Sequence, residues 1–203
     1  DLIHHPRLIK DDGIAAIELH KELTVEKYSK EFNYELIYRD IQKINNVNVL
    51  SFKNQLNISI ISRQINDHGY FFNDIGLKNA YDVYLLSKKI KGKISFSEFK
   101  KLKTPLNCFL ASCYYIFGKV SSLQYEKTKK TNKYLKIFNY MLLDEDRIKI
   151  RTKKKFREIF LKERLMVIFK SIFDKRYRNW IFKRFSDKNW RREKLKQFRL
   201  KNK

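Results

Sequence analysis

The chain has 203 residues, 43% of them hydrophobic and 15% aromatic, which is enough apolar material to bury a core and argues against wholesale disorder. Five Gly and two Pro exclude collagen-like and linker-dominated chains, and two Cys exclude a disulfide scaffold. Forty-six basic against 22 acidic side chains give a net charge of +24, which suits a polyanion or an anionic membrane surface as partner.

In chain order, residues 2–9 and 14–21 read as two short strands, with Asp11-Asp12-Gly13 as a three-residue hairpin loop between them. Pairing Lys10 with Ile14 sets His4 opposite His20 and puts Glu18 and His20 on one face, Ile17 and Leu19 on the other. After Leu23 the pattern turns helical, and residues 24–42 read as irregular or short helix. Ser51 caps a helix to about Asn66, with Phe52, Leu56, Ile60, Ile61 and Ile65 on its buried stripe and Gly69 past its end. Leu77, Ala80, Tyr81, Tyr84 and Leu85 follow the helical template, so Leu77, Tyr81 and Leu85 are expected in the core, with Gly92 as the stop. Ser95 or Ser97 is expected to open a short basic helix, and Thr104-Pro105 to start one that ends near Gly118. Tyr134, Leu135, Phe138, Met141 and Leu142 mark another; a long basic helix from Thr152 to about Phe173 and shorter ones follow. The longest nearly apolar stretch, residues 108–117, is about half the roughly 20 residues of a membrane span. Its Cys108 and Cys113 read as small core hydrophobes in a reducing compartment.

The charge is concentrated: residues 147–203 hold 23 basic and 5 acidic side chains. Solvated helix faces account for such a run as well as a polyanion or membrane contact through residues 151–203 does. Of the interleaved aromatics, Phe156 and Phe160, one helical turn apart, are expected to pack into the fold, leaving Trp180 and Trp190 for a ligand surface. Four potential metal ligands, His4, His5, Glu18 and His20, lie near the start without a zinc-motif spacing. Serine-hydrolase, P-loop and dinucleotide signatures are absent from the sequence.

The segments His4-His5-Pro6-Arg7-Leu8-Ile9 and GIAAIELHKEL (13–23), followed by residues 49–89, resemble a bacterial nucleotidyltransferase family distantly related to polymerase beta. That family has a histidine-rich strand, a turn, and a strand of the ELHW-x-L type; here Lys21 replaces the Trp. Its helical region has a helix ending near a His and then a basic-x-x-x-Asp pair, positions filled by Lys78 and Asp82. The resemblance covers residues 1–90.

The chain reads as α+β: a short β-hairpin (1–23), a mostly α-helical domain (24–146) and a basic helical C-terminal region (147–203), and the resemblance implies that the hairpin completes a small nucleotidyltransferase-type sheet. It implies transfer of a nucleotidyl group from a nucleoside triphosphate to an unknown acceptor by two magnesium ions (Mg2+) held by three carboxylates. Glu18 takes the place of the third carboxylate as catalytic residue and metal ligand, and His4, His20, Lys78 and Asp82 become substrate contacts. The Gly-Ser turn and D-x-D strand of the family are not in these residues; with Asp1 in first place, they are expected upstream in a longer protein. The residues keep plainer readings beside these: Glu18 and His20 as surface groups, Lys78 and Asp82 as a helix ion pair, and Asn66-Asp67-His68 as either a substrate edge or a helix cap. The alternative function is a non-enzymatic basic helical module binding nucleic acid or an anionic membrane. The expected setting is cytoplasmic, or peripheral at a membrane.

Overall fold

The computed structural model describes residues 8–9, 16–17, 20–142 and 144–199. It divides into two compact units, Asp1–Ile148 and Lys149–Lys203. The fold is α+β, a hairpin followed by helices.

Strand β1 (Leu8–Ile9) pairs antiparallel with β2 (Ala16–Ile17), Leu8 facing Ile17 and Ile9 facing Ala16. This is one residue away from the expected register, in which Lys10 faced Ile14. A shift of one residue exchanges the pairing of every position, so the opposition of His4 and His20 loses its basis. His4, His5, Glu18 and the loop at Asp11-Asp12-Gly13 lie outside the described residues.

A second hairpin, for which the sequence carries no expectation beyond residue 42, joins β3 (Ile41–Ile44) to β4 (Val47–Leu50). Ile44 faces Val47, so the loop is only Asn45-Asn46, and both carry positive φ, 49° and 63°. This is the backbone of a tight type I′ turn, which Asn tolerates better than most side chains.

The short helix α1 (Tyr34–Tyr38) is capped by Asn33, whose side chain accepts from Leu36 N–H. Ser51 caps α2 (Phe52–Ile61) by accepting from Asn54 N–H at 3.2 Å. Leu56, Ile60 and Ile61 are fully buried, as the stripe required. Beyond Ile61 the helix continues as a π-turn, Ser62–Asn66, where Asp67 N–H reaches back to the Ser62 carbonyl. His68 then leaves in the left-handed conformation (φ 59°), taking the terminating role expected of Gly69. Gly69 opens α3 (Gly69–Phe72) and is needed for another reason: a Cβ there would lie 2.5 Å from the carbonyl oxygens of Arg63 and Asp74.

Helix α4 (Leu77–Ser87) forms where expected but ends at Ser87, ahead of the expected stop at Gly92, and its buried face is different. Ala80, Val83 and Ser87 are buried, while Leu77, Tyr81 and Leu85 are 73%, 53% and 44% exposed. The large apolar residues satisfy the helical period, but the small ones let α4 approach α2 closely. No helix forms at Ser95 or Ser97 among the described residues; the segment is held by turns, with Ser97 N–H donating to Ser95 Oγ.

Helix α5 (Lys103–Ile116) is the centre of unit 1, with every residue from Pro105 to Cys113 buried. It starts two residues before Pro105, which is tolerated because first-turn N–H groups have no intrahelical partner. What holds its start is Glu31, about seventy residues upstream. The Glu31 carboxylate accepts from the N–H groups of Lys100, Lys101 and Leu102 at 2.9, 2.9 and 3.2 Å. The buried Asn107 pairs with one residue through both ends of its amide, donating to the Glu126 carbonyl at 2.6 Å and accepting from Glu126 N–H at 2.9 Å. Thr128 and Thr131 exchange hydrogen bonds at the start of α6 (Lys129–Leu142), as in a capping box. Tyr134, Phe138 and Met141 turn into the core, as expected.

The second unit is helical. Helix α7 (Glu145–Phe173) begins seven residues before the expected Thr152, because Asp144 accepts from the N–H groups of Asp146 and Arg147. Asp174 and Asp187 cap α8 (Lys175–Ser186) and α9 (Lys188–Arg199) in the same way. Phe156 and Phe160, expected to be packed, are 59% and 37% exposed. A one-turn spacing puts two side chains on one face, but α7 has no neighbour covering that face within its own unit. No helix among the described residues is long and apolar enough to cross a membrane.

Candidate functional site

A cleft of unit 1 has a volume of about 1140 Å³. The residues that end the first hairpin, helix α1, the second hairpin, the C-terminal half of α2 and the start of α4 all contribute to its walls. Leu23, Ile37, Ile41, Leu50 and Ile58 line it with apolar side chains, and His20, Tyr34, Glu35, Arg39, Ser59, Ser62, Asn66 and Asn79 supply the polar groups.

The polar groups are held in place by the backbone. Tyr34 Oη donates to the His20 carbonyl at 2.9 Å, fixing the chain where it enters the cleft. Burial, with Glu22 nearby, raises the Tyr34 phenol above its ordinary value, so it stays a neutral donor. Asn79 Nδ2 donates to the Ser59 carbonyl at 3.1 Å, tying the first turn of α4 to α2. Asn66 Nδ2 donates to the Leu23 carbonyl at 3.0 Å, a link across 43 residues. Its Oδ1 is buried and accepts no hydrogen bond among the described residues. A buried acceptor left unpaired costs roughly 1–3 kcal/mol.

The π-turn positions Asn66. One extra residue per turn widens the helix there, a distortion that recurs at functional sites. The loop behind it is tied down by ion pairs and hydrogen bonds. Arg63 forms ion pairs with Asp67 at 3.7 Å and with Asp74, while Gln64 Nε2 donates to the Asp74 carbonyl. Asp74 Oδ1 in turn accepts from Gly76 N–H at 3.0 Å.

Of the residues expected at the site, His20 lies on the cleft wall and is exposed. Lys78 is exposed and Asp82 half-buried; neither lines the cleft, although Asn79 beside Lys78 does. No ion pair joins Lys78 to Asp82 among the described residues, so the helix-pair reading of these two is not realised. Asp67 and His68 are exposed at the π-turn's end, with Asp67 serving Arg63. Glu18 and His4 lie outside the described residues. The described residues bring together no group of three His, Cys, Asp or Glu side chains. Sequence reasoning missed Tyr34, Arg39, Ser59, Ser62 and Asn79; they come from α1, α2, the π-turn and α4, and the one local signal is the spacing of Ser59, Ser62 and Asn66 by three and four residues.

Both cysteines are free and buried. Burial pushes the Cys108 thiol up to about 12 and the Cys113 thiol further up, so neither is a nucleophile near neutral pH.

Comparison of the chain with protein-family models, with curated proteins and with solved structures returns no match.

Proposed function

We propose that this chain belongs to a nucleotidyltransferase and that its cleft binds the nucleoside triphosphate whose nucleotidyl group is passed to an acceptor. One observation carries the reading. The two separate segments that resemble the family meet at one cleft, where Asn66 of the second bonds to Leu23 of the first and His20 stands on the same wall. The cleft also suits a nucleoside. Its apolar side chains suit a flat, weakly polar base, and Arg39 and His20, among the lining residues with Glu35, offer donors to a phosphate. These residues bind and orient. The reading takes the D-x-D pair from chain N-terminal to Asp1 and, with Glu18, assigns it the magnesium ions that the reaction class requires.

The test is titration of the chain with each of the four ribonucleoside triphosphates and Mg2+, followed by calorimetry. Binding of at least one triphosphate is expected, weakened about tenfold in Asn66→Ala, which corresponds to about 1.4 kcal/mol. Lys78 and Asp82 are proposed as contacts for the part of the substrate that extends past the rim, so Lys78→Ala is expected to weaken binding only a few-fold. Absence of triphosphate binding, or binding unchanged by Asn66→Ala, overturns the reading.

A further inference from the structure

The C-terminal unit combines a dense positive charge with large apolar side chains left in water. Residues 149–203 hold 22 basic and 5 acidic side chains. No residue of α7 or α8 is buried. In the second half of α7, Leu161, Leu165, Ile168 and Ile172 are 60%, 66%, 56% and 60% exposed. Their spacing of four, three and four residues puts them on one line along the helix, ~18 Å long at 1.5 Å per residue. Phe169 and Phe173, paired edge to face at 5.5 Å, extend the patch at its C-terminal end. At 100° per residue, Arg157 and Arg164 flank this line on one side and Lys162 on the other, and Lys154 continues it toward the N-terminus.

A contiguous apolar line of this kind marks a contact surface. Three occupants compete. A second copy of the chain would bring an equally positive unit against this one, and like charge opposes that. A nucleic acid satisfies the charge, but it stacks on aromatic rings and has nothing to offer four exposed aliphatic side chains. An anionic bilayer satisfies both: its phosphates meet the arginines and lysines, and its acyl boundary takes the aliphatic line. The lack of any helix long and apolar enough to span the bilayer restricts such binding by the described helices to its surface.

We propose that the second half of α7 docks on an anionic membrane surface, with Leu161, Leu165, Ile168 and Ile172 entering the acyl boundary and Arg157, Lys162 and Arg164 at the headgroups. This inference does not rest on the nucleotide reading.

The experiment is co-sedimentation of the full chain with phosphatidylcholine vesicles, with or without about one third phosphatidylserine, at low and high salt. Binding is expected to the anionic vesicles only and to fall at least tenfold at high salt. Leu165→Ser/Ile168→Ser is expected to weaken it about tenfold with unchanged helix content by circular dichroism, and Arg157→Gln/Arg164→Gln to weaken it further at low salt. If the double serine variant loses helix content, Ile172→Ser alone repeats the measurement at the helix end. The proposal is overturned by no vesicle binding, by equal binding to both vesicles, or by serine variants that bind as wild type does. It is equally overturned if single-stranded RNA binds more tightly than vesicles and is indifferent to the serine changes, or if those changes instead abolish a concentration-dependent dimer.

Discussion

Glu31 gives the sharpest test of how unit 1 is held together. Its carboxylate takes three successive N–H groups, those of Lys100, Lys101 and Leu102, immediately ahead of the buried helix α5. Glu31→Ala leaves all three without this acceptor and removes a negative charge from the positive end of the helix dipole. Hydrogen bonds to a charged group are worth about 1.5–3 kcal/mol each when both groups are sequestered. Here the site is near the surface, so water recovers much of that, and the loss of a single capping residue, about 1–2 kcal/mol, is the better guide. We expect about 2 kcal/mol. At about 2–4 °C per kcal/mol for a chain of this size, the melting midpoint falls by about 4–8 °C. Glu31→Gln keeps one acceptor oxygen and the side-chain length but loses the charge, so it is expected to lie roughly halfway. The assay is thermal and urea unfolding followed by circular dichroism, with amide exchange at residues 100–102 as the local readout. A Glu31→Ala protein melting within about 1 °C of wild type, with unchanged exchange at those amides, refutes the capping argument.

Leu85→Ala is expected to cost less than about 1 kcal/mol, whereas Leu106→Ala, at a fully buried position, is expected to cost about 2–5 kcal/mol; equal losses in urea unfolding contradict the observed phase of α4. Gly69→Ala forces a Cβ against two backbone carbonyls, so unfolding should show a loss of about 1–3 kcal/mol or more, and an unaffected protein refutes the close approach at the π-turn. Cys108 and Cys113 are expected to resist thiol reagents in the native protein at pH 8 and to react fully in denaturant. Because burial raises both thiols, their contribution to stability is full below about pH 9, the unfolded value, and is lost as pH rises toward about 12 and beyond. A midpoint that rises between pH 9 and 11 contradicts that sign.

The sequence by itself determined what depends on neighbours a few residues apart. The Ser51 cap and the Leu56, Ile60, Ile61 and Ile65 stripe of α2 were legible because a cap and a 3.6-residue period are both local. The same holds for Tyr134, Phe138 and Met141 of α6, and the concentration of positive charge toward the C-terminus is a property of the sequence itself. The Asn45-Asn46 turn and the Asp caps at 144, 174 and 187 were equally local signals, present in the sequence but not used. Tertiary structure alone decided the rest. In α4 two faces satisfied the period, and the approach to α2 selected small Ala80, Val83 and Ser87 over Leu77, Tyr81 and Leu85. The register of β1 and β2 differs by one residue from the expectation because pairing in so short a hairpin is weakly specified by its own side chains. The cap of α5 comes from Glu31, about seventy residues away, and the cleft joins His20, Asn66 and Asn79 from three separate stretches. No pattern along the chain encodes such meetings, because each depends on which helices pack together, and that is settled by the free energy of the whole core.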